Sequence, residues 1–261
     1  MKALQIAATG MLAQQTRVSV ISNNIANVDT TAYNARRAEF ADLIYQHEKR
    51  AGAVSSDTGT VLPAGVQIGL GVRTAAISKD TTPGSLRQTD GDLDVAIEGR
   101  GYFEIQLPDD SPAYTRDGSF KRSPEGTIVT ADGYQVQPGL VIPEDAIQVA
   151  VNGDGEVYAY FEGNAQAQLL GRLTLALFVN EKGLEAKGSN LFAPTEASGE
   201  AQLGDPGVEG RGTLRQGYLE DSSVNVVAEI TNLIEAQRSY EMNSKVITAV
   251  DEMMETTSRI R

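Results

Sequence analysis

Cysteine and tryptophan are absent from this chain, and histidine occurs once, as His47. Without thiols there is no disulfide framework, no thiolate nucleophile and no Cys-ligated zinc, and a lone imidazole removes His-rich metal sites. No stretch approaches the roughly 20 apolar residues that cross a bilayer, so the chain does not read as membrane-embedded. Basic charge is scarce too: 22 Lys and Arg stand against 35 Asp and Glu, a formal charge of −13, which disfavours nucleic acid as a partner. The acid is concentrated in the middle. Residues 51–216 hold 23 acidic and 12 basic side chains, whereas residues 1–28 carry only Lys2 and Arg17 and no acid. Gln5, Thr9, Gln14 and Gln15 interrupt any apolar core of a cleavable signal peptide at the start.

What the chain does have is an apolar stripe of seven-residue repeat at each end. The first runs Leu4, Met11, Val18 and Ile25, with Ala7, Ile21 and Val28 between or after them; the second runs Val226, Leu233, Tyr240, Ile247 and Met254, with Ile230, Ala236 and Val250 interleaved. Helices that repeat apolar residues every ~3.5 positions bury that seam against other helices. The two seams therefore find each other, or copies of themselves in neighbouring subunits, which points to assembly rather than chemistry. The fold class expected is α+β: a coaxial, coiled-coil-like pair of terminal helices, an extended linking segment and a central all-β domain.

Residues 3–28 read as a helix that Asn23, Asn24 and Asn27 bring to an end. Arg36 to Tyr45 reads as a second short amphipathic piece with Phe40, Leu43 and Ile44 on one side. Residues 46–85 show no sustained period; Val61-Leu62 and Gly65–Gly69 suit extended or hairpin segments, and Val72–Ser78 a strand. From residue 86 to 216 turn signals such as Asp117-Gly118, Asp132-Gly133 and Asn152-Gly153 recur between short apolar runs, as in a small β-barrel or sandwich. The expected strands are Leu93–Ile97, Tyr102–Gln106, Ala113–Arg116, Ser119–Arg122, Ile128–Thr130, Ile147–Val151, Val157–Phe161, Leu169–Phe178 and Leu191–Pro194, with an extended link at 210–217. Val224 to about Thr257 is then one long helix, with Asp221, Ser222 and Ser223 as candidate N-caps. The expected domains are 1–33 with 218–261 (helical polymerisation), 34–85 (linking segment) and 86–217 (central β domain).

No constellation here carries catalysis. Asp90, Asp92 and Asp94 alternate as solvated acids at a strand start, and Asn152–Glu156 lacks the rest of a calcium loop. Gly99-Arg100-Gly101 has no third glycine and no following helix. The serines have no neighbouring histidine. The expectation is therefore no enzyme, no cofactor and no metal.

Ser22-Asn23-Asn24-Ile25-Ala26-Asn27-Val28-Asp29-Thr30-Thr31-Ala32-Tyr33 resembles the N-terminal signature of bacterial flagellar rod and hook proteins, through Asn23, Asn24, Ala26, Asn27, Thr30 and Tyr33. It departs at Ala32, where Gly is usual, and at Asn34, where Lys or Arg is usual; a turn without Gly at 32 is expected to need a different backbone path. Gly217–Val227 resembles the family's approach to its last helix, with Ser223 in place of a common Asn. Ile234–Lys245, carrying Gln237, Arg238, Tyr240 and Asn243, is similar to its helix signature, and Asp251–Met254 to its ending. Leu93–Phe103, Ala113–Phe120, Asp132–Pro138 and Ile142-Pro143 look most like the distal-rod members.

The resemblance implies an axial structural protein without enzymatic activity. It is exported by the flagellar type III apparatus without a cleavable signal and polymerises in the periplasm into a hollow helical tube, with the β domain outward. Its implied partners are copies of itself, proximal rod proteins, hook protein and the bushing rings of the peptidoglycan layer and outer membrane. The helix-packing residues are those of the two stripes: Leu4, Met11, Val18, Ile21, Ile25 and Val28, then Val226, Ile230, Leu233, Tyr240, Ile247, Val250 and Met254. A strut between subunits is implied in residues 46–75, through Val61, Leu62, Pro63, Val66 and Ile68. The alternatives are a hook or proximal-rod member of the family, or a β-rich phage-tail-like or adhesion module.

Overall fold

The computed structural model describes residues 2–49, 64–163 and 166–259. The chain divides into two compact units, one made of Met1–Ala26, Arg36–Lys79 and Asn225–Arg261, the other of Asn27–Ala35 and Asp80–Val224. The α+β class expected from the pattern is what forms: a helix at each end and β structure between them.

In the first unit, helix α1 spans Lys2–Ala26 and helix α2 spans Val226–Arg259. Neither contains proline, and α2 has no glycine within it. The cap of α2 is Asn225: its Oδ1 accepts the Ala228 N–H at 3.1 Å and its carbonyl accepts the Glu229 N–H at 2.9 Å. The expected caps, Asp221 to Ser223, lie upstream because the chain is held extended there. Beside the helices, strand Arg36–Asp42 pairs antiparallel with Val72–Lys79, and Tyr45–Lys49 with Val66–Gly69. The stretch from Arg36 to Tyr45 is thus extended rather than a helix-like amphipathic piece; its burial alternates with a two-residue period except at Glu39 and Phe40, where the register shifts. The Gly65–Gly69 hairpin and the strand at 72 form as expected, whereas Val61, Leu62 and Pro63 lie outside the described residues.

In the second unit every pairing is antiparallel. The largest sheet has nine strands, with Glu185–Gly188, Leu191–Ala193, Pro112–Thr115, Tyr102–Gln106, Gln135–Val136, Ile128–Val129 and Lys121–Arg122 in that order. Leu175–Leu177 joins it through Tyr102–Gln106 and carries Gln202–Gly204. Three further strands, Ala146–Val151, Glu156–Phe161 and Gln168–Arg172, form a second sheet. The expected strand Leu169–Phe178 is split in two. Gly171, at φ 155°, opposes Val157 where the ladder slips register, and Leu173 turns fully inward with 1% exposure.

Tyr102–Gln106 is the central strand, and alternate side chains leave it in opposite directions. Phe103 and Ile105 enter the main core with Val95, Ile97, Phe120, Ile142 and Leu173. Tyr102 enters a second cluster with Tyr114, Phe178 and Phe192, whose rings meet edge to face at 4.8 to 6.0 Å between centroids, the arrangement the ring quadrupole favours.

Candidate functional site

Helices α1 and α2 run antiparallel, side by side. Gly10 faces Asn243, Arg17 faces Asn232 and Glu235, and Asn24 faces Glu229. The seam of α1 is built from small residues. Ala7 and Ala13 are buried, and a Cβ at Gly10 would stand 2.9 Å from the Asn243 amide, so the helices approach closely where side chains are absent. Val20, Ile21 and Asn24 are buried further along α1, and Ala236 of α2 is fully buried. Gln14 carries a buried Oε1 with no hydrogen-bond partner, a costly group to place in a seam.

Of the residues expected to pack the helices, Ile21 is buried and Leu4, Met11, Val18 and Ile25 of α1 are half-buried, as is Val28 in the second unit. On α2, Val226, Leu233, Ile247 and Val250 are half-buried, while Ile230, Tyr240 and Met254 are exposed. The wide face of large side chains is therefore only partly used within the chain. On the far side of α2 a second apolar set stands in solvent: Val227 is 76% and Met242 67% exposed, with Ile234 between them, while Val246 and Met253 are exposed at another angle of the helix. Apolar patches of this kind, rimmed by polar residues, mark contact surfaces. Sequence reasoning missed both the burial of Val20 and this outer stripe. The signal was present in the seven- and eight-residue steps from Val227 to Ile234 to Met242, about two helical turns each.

The Asn-rich motif has a local physical role. Asn24, 1% exposed, donates from Nδ2 to the Arg36 carbonyl at 2.8 Å and accepts the Arg36 N–H on Oδ1 at 2.9 Å. Its amide thus acts as a strand partner for the residue that begins the next strand, and it also donates to Glu229 at 3.3 Å. Asn27 accepts from Thr30 through both its carbonyl and its side chain, each at 3.2 Å. Asn23, Ala26, Gln237, Arg238 and Tyr240 are exposed, and Asn243 is half-buried opposite Gly10. In the hairpin that leads to the undescribed segment, Val66 is exposed and Ile68 half-buried.

Ala32 adopts φ 54°, the left-handed conformation. The backbone there keeps the shape a glycine takes, rather than the different path expected of a turn without one. Asp94, from the alternating carboxylates, accepts the Thr89 hydroxyl at 2.6 Å. The Asn152 side chain accepts the Asp154 and Glu156 N–H groups at 3.1 and 2.9 Å, a hairpin turn. Among the described residues no group of three or more acidic or imidazole side chains is placed to hold a metal, and no helix is long and apolar enough to cross a membrane.

Two antiparallel terminal helices that leave apolar side chains in solvent, joined in sequence to an antiparallel β unit, suit a structural protein. Three family profiles match: "Flagella basal body rod protein" over residues 4–33, "Flagellar hook protein FlgE/F/G D1 domain" over 96–159, and "Flagellar basal body rod FlgEFG protein C-terminal" over 215–260. The flagellar basal-body rod protein FlgG of Caulobacter vibrioides is 51% identical over 261 residues, the full length of both chains. That of Borreliella burgdorferi is 43% identical, with 100% of this chain and 99% of the relative covered. That of Bacillus subtilis is 36% identical, with 98% and 97% covered. The chain belongs to the flagellar basal-body rod protein family. It is a structural subunit of the basal-body rod.

Proposed function

We propose that this subunit polymerises as the distal rod, a hollow helical tube that carries motor torque to the hook and lets later subunits pass through its centre. The single observation that supports this reading most is the outer stripe of α2, Val227, Ile234 and Met242, which stands in solvent away from the face that packs on α1. A helix with two apolar faces needs two partners. The first is α1; the second is a helix of a neighbouring copy. Burying a side chain of Leu, Ile, Val or Met size contributes about 1.5–3 kcal/mol, so a stripe of this length drives association strongly.

In this reading the two terminal helices form coaxial inner layers, with Leu4, Met11, Val18, Ile25, Val226, Ile230, Leu233, Tyr240, Ile247 and Met254 shared between copies. The central β unit faces outward, and its surplus of acid stays in solvent. The hairpin around Val66 and Ile68 begins a strut toward an adjacent subunit. Proximal rod proteins lie below, hook protein above, and the rings of the peptidoglycan layer and outer membrane around; the chain reaches the periplasm through the flagellar export apparatus. Nothing in this role uses catalysis or a cofactor. Electron microscopy of the purified chain tests it: the full chain should grow straight hollow tubes, and a chain cut back to 27–224 should stay soluble and unassembled. Tubes from the shortened chain would overturn the reading.

A further inference from the structure

The chain passes between the two units four times, after Ala26, Ala35, Lys79 and Val224. Within the second unit, the stretches beside these passages are tied to one another. The Ala35 carbonyl accepts the Asp80 N–H at 2.8 Å, and the Ala35 N–H donates to the Ser223 hydroxyl at 2.9 Å. Ser223 N–H donates to the Tyr33 carbonyl at 3.0 Å, Ala32 N–H to the Glu220 carbonyl at 2.8 Å, and Asp221 N–H to the Ser85 carbonyl at 2.8 Å. A Cβ at Gly84 would sit 2.0 Å from the Asp221 carbonyl oxygen, so the strands run close enough there to exclude any side chain.

At the centre of these ties is a buried ion pair. Glu220 and Arg116 are 2% and 5% exposed. Glu220 Oε2 accepts Arg116 Nε and Nη2 at 2.9 and 2.7 Å, and Oε1 accepts the Gly84 N–H at 3.0 Å. Arg116 Nη1 also donates to the Gly99 and Gly101 carbonyls at 3.1 and 3.0 Å. Every hydrogen-bonding direction of the fork is used. A buried pair of this kind often stabilises no better than apolar residues of the same volume, and the best-attested use of such pairs is to specify register. The three positions where the chain departs from the family signature also fall here: Ala32 and Asn34 are buried, and the Ser223 hydroxyl is itself one of the ties.

We infer that Arg116 and Glu220 are positioning residues of a joint that holds the segment leaving α1, the segment entering α2 and the segment at Asp80–Ser85 in one register before any neighbouring subunit is met. The central unit, once folded, fixes the lead-in to both helices. Load arriving along one linking stretch is then shared by all three through the hydrogen bonds. The joint stands on the contacts of the central unit alone; its use in carrying load rests on the tubular reading above.

Site-resolved hydrogen exchange on the full-length, unassembled chain tests it. The Ala32, Ala35, Asp221 and Ser223 amides should be protected, with the Ile105 amide as the reference for global opening. Ser223→Ala should speed exchange at Ala35 by about tenfold and leave Ile105 unchanged. Glu220→Gln leaves a buried unpaired cation and should lower overall stability as well; adding Arg116→Met removes that charge and should recover Ile105 protection while the joint amides stay fast. Joint amides exchanging at unprotected rates in the wild type, or fully protected in the double variant, would overturn the inference. Absence of tubes with a protected joint would count against the tubular reading and leave the joint standing.

Discussion

Ala32 shows how one side chain can carry a measurable cost without disturbing the fold. An L-residue in the left-handed region loses about 1–2 kcal/mol to contact between Cβ and the carbonyl oxygen, and Ala32 sits there at φ 54° with 4% exposure. Ala32→Gly relieves that contact and gives back part of the gain as unfolded-chain entropy. The expected result is a net stabilisation of about 0.5–1 kcal/mol, read as a higher urea midpoint at unchanged slope. Tyr114 makes a second prediction. Burial first, and the Glu104 carboxylate second, push its phenol from 10.0 up to about 12; burial, then the Glu181 charge, raises Tyr102 in the same direction. A raised folded pKa means that the unfolded chain loses its proton first. The stability these groups contribute is therefore intact below pH 10 and is lost as pH rises through 12. Urea midpoints across that range should fall, and less steeply in Tyr114→Phe; an unchanged slope in the variant would count against the assignment.

Helix α1 is an apolar element whose two faces are used differently. One side meets α2 at Gly10, Arg17 and Asn24, Thr9 reaches the strand at Val72, and the larger side chains of the helix, Leu4, Met11 and Val18, stand half in water. Among the polar residues along α1, Gln14 has an Oε1 that is buried without a partner. Gln14→Met keeps the length of the side chain and removes the unmet acceptor, so it should raise the stability of the helix pair by about 1 kcal/mol. Helical circular dichroism on heating is the measurement, with a lower midpoint as the contrary result. The Arg17 contacts to Asn232 and Glu235, 3.2 and 3.6 Å long and partly exposed, add little by comparison, because such pairs are screened by water.

Assembly is decided by the surface that the single chain leaves uncovered. Met242 and Ile234 lie on the outer stripe of α2, away from the seam with α1. Met242→Glu and Ile234→Glu should each leave the stability of the isolated chain within about 0.5 kcal/mol, as for exposed positions generally, while abolishing tube growth in electron micrographs. Tubes of normal length from either variant would remove the outer stripe from the interface. The same separation of roles holds for the β unit, whose two clusters around Phe103 and Tyr102 are complete within it. Its core side chains are already covered, whereas the outer stripe of α2 is left in solvent.

Local pattern was enough for much of this. The helices at both ends, the hairpins at Asp132-Gly133 and Asn152-Gly153 and most of the expected strands follow from periodicity and turn chemistry acting over a few residues. The family resemblance was likewise carried by contiguous motifs. Other features depended on groups distant in the sequence. The cap of α2 fell to Asn225 because Asp221 and Ser223 are engaged in backbone ties to Ser85, Tyr33 and Ala35. Periodicity offered α1 several faces, and which of them meets α2 was decided by partners distant in sequence, at Gly10 with Asn243 and Arg17 with Glu235. Arg116 and Glu220 stand 104 residues apart, and no local rule joins them. The sequence by itself determined the elements and the kind of protein they make. Tertiary structure alone decided which face of each helix is spent inside the chain, which is left for other subunits, and that residues 27–35 belong with the β unit, because burial and pairing are settled by what arrives from elsewhere in the chain.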